Sequence, residues 1–438
     1  MLMVMKGKCI MGEFDKIIGY TTIKKELEQI LDIYRNKCKY DNLGVKPPAG
    51  VLIYGVPGVG KSLMANTLIN SIAIKCFICR KDRPNGDFVK HIKEIFNKAA
   101  SEQASIVFLD DMDKFANGDV MHPDSEEYVT VQSCIDEVKD KNVLVVATAN
   151  NLSCLPDSLL RAGRFDRIIE VRTPNITDAE QIIKHYLAKK KVSDKLDYKS
   201  VVKIMNSHSC AELETIINEA GIYAGFEGAE CIEMSHFLKA AMRVIFDISP
   251  SALEKSGLEN VPKSLLTKMA YHEAGHTLIH EILAPESVAL VSLFGSNYSN
   301  LEGITIYDMD FCASPFEKDE VLVIGALAGK AAVDQKFGSC DMGCSEDLDK
   351  AFYKVRNLIT TRCTSGFHLY GDYGERSNEL LSMQEKAAVT EIEKYYLRAK
   401  EIIASNNVLF ENIAQQLLNK KILCSKDIEN IKYNSATV

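Results

Sequence analysis

"GVLIYGVPGVGKS", residues 50–62, runs from an apolar, β-branched stretch into G-x-x-x-x-G-K-S and then into the helical pattern "SLMANTLINSI" (62–72). A strand, a glycine-rich turn and a helix start in that order set backbone N–H groups around phosphate oxygens at a helix N-terminus. Gly55, Gly58 and Gly60, with Val56, Pro57 and Val59 between them, let the chain curl. Lys61 then reaches the β and γ phosphates, and the Ser62 hydroxyl is offered to Mg²⁺. The stretch predicts an ATP site.

Outward from it, "SIVFLD" (105–110), "NVLVVATAN" (142–150) and "RIIEVR" (167–172) are further short apolar runs separated by amphipathic stretches. Such runs suggest buried parallel strands with helices on both faces, an α/β nucleotide-binding domain over 14–172. Asp110, at the end of its strand, is placed to hold Mg²⁺, commonly through water. Asp111 can orient and deprotonate the attacking water, one methylene shorter than a glutamate, and Asn150 can hydrogen-bond the same water or the γ-phosphate. "LLRAGRFDR" (159–167) supplies Arg164 and Arg167 as candidates to stabilise phosphoryl-transfer charge in a neighbouring subunit, which implies a ring.

From 173 to 248 helical periodicity takes over, as in Leu213, Ile216, Ile217 and Ala220, and predicts a small helical lid domain. A polar, proline-bearing linker (249–262) precedes a mainly α-helical domain (263–425). A short N-terminal tail (1–13) and a polar C-terminal tail (426–438) complete the division.

The third domain opens with "YHEAGHTLIH" (271–280), and H-E-x-x-H puts His272 and His276 one helical turn apart on one side. Both imidazoles can reach one Zn²⁺, with Glu273 alongside to take a proton from water. Leu265, Met269, His272, His276, Ile279 and Leu283 step by 4, 3, 4, 3 and 4, so the histidines lie in an apolar stripe that Pro285 closes. His280 is two turns from His272, about 12 Å along the axis, too far to share an ion with it. A third ligand has to come from elsewhere, and "GCSEDLDKAF" (343–352) offers Glu346, Asp347 and Asp349, among which composition does not choose.

"GVPGVGKS", "IVFLDD", "ATANN" and "LLRAGRFDR", in this order, resemble the AAA+ ATPase module. "FDKIIGY" (14–20) is similar to the segment lining that module's adenine pocket, which puts Ile18 and Gly19 there. "SCAELETIINEA" (209–220) is similar to its lid helix, with Cys210 and Ala211 facing the nucleotide. "YHEAGH", then "ALAGKAAVDQKFG" (326–338), then "GCSEDLDKA" resemble the peptidase domain of FtsH-type AAA+ zinc proteases, over residues 12–425 in all. The resemblance assigns the third zinc ligand to Asp347 and suggests Asp334 as a group supporting the ligands. It implies a homohexamer in which ATP hydrolysis unfolds misfolded or unfolded protein substrates and feeds them to a zinc peptidase chamber.

Three features depart from that family. Its N-terminal membrane segments are missing, which implies a soluble, cytoplasmic protein; mixed rings with a membrane-bound homologue stay open. Asp111 stands where glutamate is usual. In "RKDRPNGDFVK" (80–90), Pro84 falls where a pore aromatic belongs, and Phe88 substitutes only with a shifted register.

The totals agree with such a protein. A chain of 438 residues, 46% hydrophobic, is long enough for two to four domains. A net charge of −8 gives no field to attract nucleic acid. The 13 cysteines, odd in number and scattered, point to a reducing compartment, with "CFIC" (76–79) read as free thiols. No run approaches the ~18 apolar residues of a membrane span. Two other functions stay open: a peptidase uncoupled from nucleotide turnover, and an ATP-binding remodelling or scaffold protein that does not cut.

Overall fold

Residues 12–116, 125–249, 258, 261–294, 303–308, 315–338, 344–371 and 377–436 are described by a computed structural model of the protein. Most of the expected linker, 249–262, and of the N-terminal tail lies outside them. Two compact units form: Met1–Lys189 with Ser207–Thr215, and Lys190–Asn206 with Ile216–Val438.

In the first unit β1 (Gly50–Tyr54), β2 (Lys75–Cys79), β3 (Ser105–Leu109), β4 (Val143–Ala149) and β5 (Arg167–Glu170) form a parallel sheet in the order β2-β3-β4-β1-β5. Every residue of β3 and β4 is buried, as in central strands of a parallel sheet, and their two hydroxyls, Ser105 and Thr148, are both hydrogen-bonded. The registers pair Tyr54 with Ala149 and Leu109 with Ala147, so the C-terminal ends of β1, β3 and β4 lie side by side. In open α/β sheets that edge is where ligands bind.

β2 was not expected. Its sequence, KCFIC, is short, and its burial is mixed because it is the edge strand. Both of its cysteines are free thiols, Cys79 buried and Cys76 partly so.

The second unit is helical around a buried helix, Lys263–Leu283. From Met269 to Glu281 every residue of it is buried, not only one stripe. Helices Pro315–Phe337 and Asn407–Lys420 pack on it, as does the small sheet. Gly275 makes a close approach to the first of these helices feasible: a Cβ there would stand 2.6 Å from the Ala328 carbonyl oxygen and 2.7 Å from the Ala332 Cβ. The sheet consists of β6 (Val288–Ser292), β7 (Ile304–Tyr307) and β8 (Ile422–Cys424), antiparallel, in the order β7-β6-β8.

The segment expected as a polar tail is a helix, Ser425–Ala436, whose Ile428 and Ile431 enter the core. Two isoleucines three apart bury one face while the polar residues stay in water. Among the described residues no helix is long and apolar enough to cross a membrane.

Candidate functional site

The glycine-rich loop follows β1 with Gly55, Gly58 and Gly60 at φ of 153°, 81° and 94°, values that side chains disfavour. Lys61 is buried at the start of the next helix, and its Nζ donates to the carbonyl oxygens of Gly55 (2.8 Å) and Val56 (2.9 Å). Burial pulls its pKa below the usual lysine value, against the attraction of Asp111 and Asp113. Ser62 is exposed beside it, as are Val56 and Pro57.

A cavity of about 300 Å³ opens next to this loop, with Gly58, Val59 and Gly60 on one wall, and Ile18, Cys210 and Ala211 lining it as well. Gly19 does not line it; at φ 69° it turns the chain so that the Tyr20 N–H bonds Asp178 Oδ1 at 2.9 Å. Apolar walls and a phosphate-gripping rim suit a purine nucleotide.

At the neighbouring strand ends Asp110 is only 2% exposed and accepts from Thr148 Oγ1 at 2.9 Å and from Arg80 Nε at 2.9 Å. Asp111 accepts from Lys114 Nζ at 2.6 Å, and its backbone N–H donates to Thr148 Oγ1 at 2.9 Å. Thr148 therefore fixes both aspartates. Asn150 follows β4 at the same edge and is partly buried. The hard oxygen donors Ser62 and Asp110 suit Mg²⁺.

In the second unit His272 and His276 bring their Nε2 atoms within 3.0 Å, and Asp347 Oδ2 lies 3.3 Å from each. Tetrahedral Zn²⁺ with bonds near 2.0–2.1 Å needs ligand atoms about 3.3 Å apart, so the trio fits the ion. Asp347 sits in the first turn of helix Ser345–Arg362, while Glu346 and Asp349 are exposed. His276 Nδ1 donates to the Gly325 carbonyl at 2.7 Å, which leaves the neutral ring's Nε2 lone pair for a metal.

Burial opposes charge on His276, yet the hydrogen bond and negative charge of Asp347 prevail and push its pKa up to about 9. Burial would also raise Asp347, but the two histidines hold it well below the usual carboxylate range. A cluster that draws a proton so strongly is one that suits a cation.

Glu273 is 4% exposed and accepts from Thr305 Oγ1 on β7 at 2.6 Å. Gly303 closes in on the same carboxylate, since a Cβ there would lie 2.7 Å from Oε1. Gly329 does the same for His272: a Cβ would lie 2.3 Å from its Cε1.

Residues 51–173 match the model for the ATPase family associated with various cellular activities, and residues 261–431 match Peptidase family M41. The FtsH ATP-dependent zinc metalloprotease of Lachnoclostridium phytofermentans is 28% identical over 95% of this chain and 74% of its own length. That of Mycoplasma genitalium is 28% identical over 97% of this chain and 63% of its own. The mitochondrial inner membrane i-AAA protease supercomplex subunit YME1 of Saccharomyces cerevisiae is 25% identical over 96% of this chain and 57% of its own. The chain thus joins an AAA ATPase domain to a Peptidase M41 domain and is similar over 95% of its length to FtsH ATP-dependent zinc metalloproteases. It spans less than two thirds of the length of the last two relatives.

Against the FtsH pattern several residues stand elsewhere than expected. Phe88 is no pore aromatic: it is fully buried and packs edge-on against Phe115 at 5.1 Å, because its helix turns that face to the core. Pro84 caps the same helix, Asn85–Ala100. Asp334, expected to support the candidate ligands, instead bonds Lys330 at 2.9 Å and Tyr396, and among the described residues His272 Nδ1 has no hydrogen-bond partner. Arg164 is tied within its own chain to Asp136 at 2.7 and 2.9 Å and to the Ser158 carbonyl, whereas Arg167 is exposed at the start of β5.

His280, set aside as a ligand, is buried and stacks on Tyr307 with ring centroids 3.7 Å apart. Arg80, Lys114, Thr148, Gly303 and Thr305 carried no such expectation. Thr148 carried a readable signal, being the one hydroxyl in the strand "NVLVVATAN" where an apolar residue is expected. The others depend on distant segments meeting.

Proposed function

We propose that this chain is an ATP-dependent zinc metalloendopeptidase that unfolds proteins and cuts them, assembled as a homohexamer in a reducing, cytoplasmic setting. The observation that carries the reading is the convergence of His272, His276 and Asp347 within 3.3 Å, on the same chain as a complete phosphate-gripping loop.

His272, His276 and Asp347 would hold Zn²⁺, which when bound would supply Lewis-acid polarisation of the scissile carbonyl. Glu273 takes a proton from the attacking water and passes it to the leaving amine. Thr305 keeps that carboxylate on the side of the histidines. In the ATPase domain Lys61, Ser62 and Asp110 hold the triphosphate with Mg²⁺, Asp111 and Asn150 orient the attacking water, and Arg164 and Arg167 act at a neighbour's site. Ile18, Cys210 and Ala211 form the nucleotide's base-side pocket, with Gly19 turning the chain behind it. Folded proteins bury their peptide bonds, so ATP-driven unfolding supplies the peptidase with substrate. The free thiols of the described cysteines suit the reducing setting.

Degradation of casein by zinc-loaded protein, compared with ATP, with a non-hydrolysable analogue and without nucleotide, tests this. Cleavage that requires ATP is expected; no cleavage in any condition refutes the peptidase. The polar 80–84 segment and the burial of Phe88 favour one second reading, a peptidase whose nucleotide assembles the ring without threading substrate. Equal cleavage in all three conditions selects it.

A further inference from the structure

The 80–84 segment, RKDRP, offers no aromatic to grip a substrate, yet its first residue is engaged at the nucleotide site. Arg80 follows the C-terminal end of β2, beside β3, and its guanidinium puts two N–H groups on Asp110 Oδ2, from Nε at 2.9 Å and from Nη2. Thr148 takes Oδ1 at 2.9 Å. Both oxygens of the carboxylate expected to serve Mg²⁺ are thus occupied, one of them by a charge-assisted fork.

The burial is lopsided: the Asp110 side chain is 2% exposed, that of Arg80 68%. The cation therefore lies on the solvent side of the carboxylate. Asp111 is likewise paired, with Lys114 at 2.6 Å. Mg²⁺ keeps most of its water and is held by few carboxylates, so a guanidinium on the same oxygen competes with it directly.

We propose that Arg80 is a built-in cation that competes with Mg²⁺ for Asp110, so that nucleotide binding in this chain depends weakly on Mg²⁺. The inference rests on the ATP site proposed above. With Arg80 in place the carboxylate is neutralised before any metal arrives, and a triphosphate meets no bare negative charge. When Mg²⁺ engages Asp110 it displaces Arg80 and with it the start of the 80–84 segment. By linkage, anything that draws that segment away raises the affinity for Mg²⁺ by the same factor.

The test is binding of a fluorescent ATP analogue in magnesium-free buffer and at saturating Mg²⁺, zinc present in both, for wild type, Arg80→Ala and Arg80→Lys. The readout is the ratio of Kd without Mg²⁺ to Kd with it. We expect this ratio to rise by about tenfold or more in Arg80→Ala, because the unpaired Asp110 then repels free nucleotide and welcomes the metal. Arg80→Lys, which keeps a charge without the fork, moves it less. If Arg80→Ala does not fold by circular dichroism, Arg80→Gln makes the same comparison. Equal ratios in wild type and the neutral variant overturn the inference and leave the ATP site standing; failure of wild type to bind nucleotide in either buffer overturns both.

Discussion

A general base is defined by where its carboxylate is held. Glu273 directly follows His272 in sequence, and in space its oxygen is fixed by Thr305. Glu273→Gln keeps shape and hydrogen bonding but gives up proton transfer, so kcat should fall by about 10²–10⁴-fold while zinc content stays at one ion per chain. Metal analysis alongside peptide cleavage checks it; loss of zinc would reassign Glu273 to metal binding. His280 offers a second residue-scale prediction. Burial pushes its pKa from 6.5 down to about 3. Between those values the unfolded chain binds a proton that the folded chain refuses, so its contribution is complete above pH 6.5 and declines as pH falls. From pH 7 to 5 this costs about 2 kcal/mol. Urea unfolding at both pH values should show that drop in wild type diminished by about this amount in His280→Gln.

Strands decide the arrangement at the next scale. β7, with Gly303 just before it, brings Thr305 against the histidine helix, whereas the sequence pattern over 263–425 predicts mainly helices. "SVALVSL" (287–293) is β-branched and alternates weakly, but β6 is buried on every residue, so it lacks the polar-out signal that marks a strand. β7 and β8, of four and three residues, are too short to show a period. The dependence of Glu273 on β7 is testable: Thr305→Val removes one hydrogen bond to a charged group and should lower kcat about tenfold or more, with KM and zinc unchanged. Thr305→Ser should restore it. A change in KM alone would make β7 a substrate contact instead.

For the whole molecule the question is how two chemistries on one chain depend on each other. If ATP turnover serves to expose peptide bonds, Lys61→Ala should abolish degradation of a folded protein and spare cleavage of a short unstructured peptide. A pair of assays on one preparation, gel-based for the protein and fluorogenic for the peptide, reads both. Loss of both activities would mean that nucleotide is needed to build the peptidase itself.

The sequence by itself determined the chemistry: the loop 55–62, the strand-end Asp110 and the paired His272 and His276 each depend on spacing within one turn or one strand, which local geometry converts directly into shared direction. It also carried the α/β order of the first unit, since four of the five strands are apolar runs bounded by helices. Only the tertiary structure decided the rest. That Asp347 and not Glu346 or Asp349 faces the histidines depends on how helix Ser345–Arg362 is set against a helix more than sixty residues away, a rotation that residue type alone does not encode. The family resemblance had named Asp347, and the geometry supplies the reason. The engagement of Arg80 with Asp110, and of Thr305 with Glu273, lies between segments 30 and 32 residues apart. Side chains meeting across such distances leave no periodicity in the chain, because their position comes from packing and not from the bonds between neighbours.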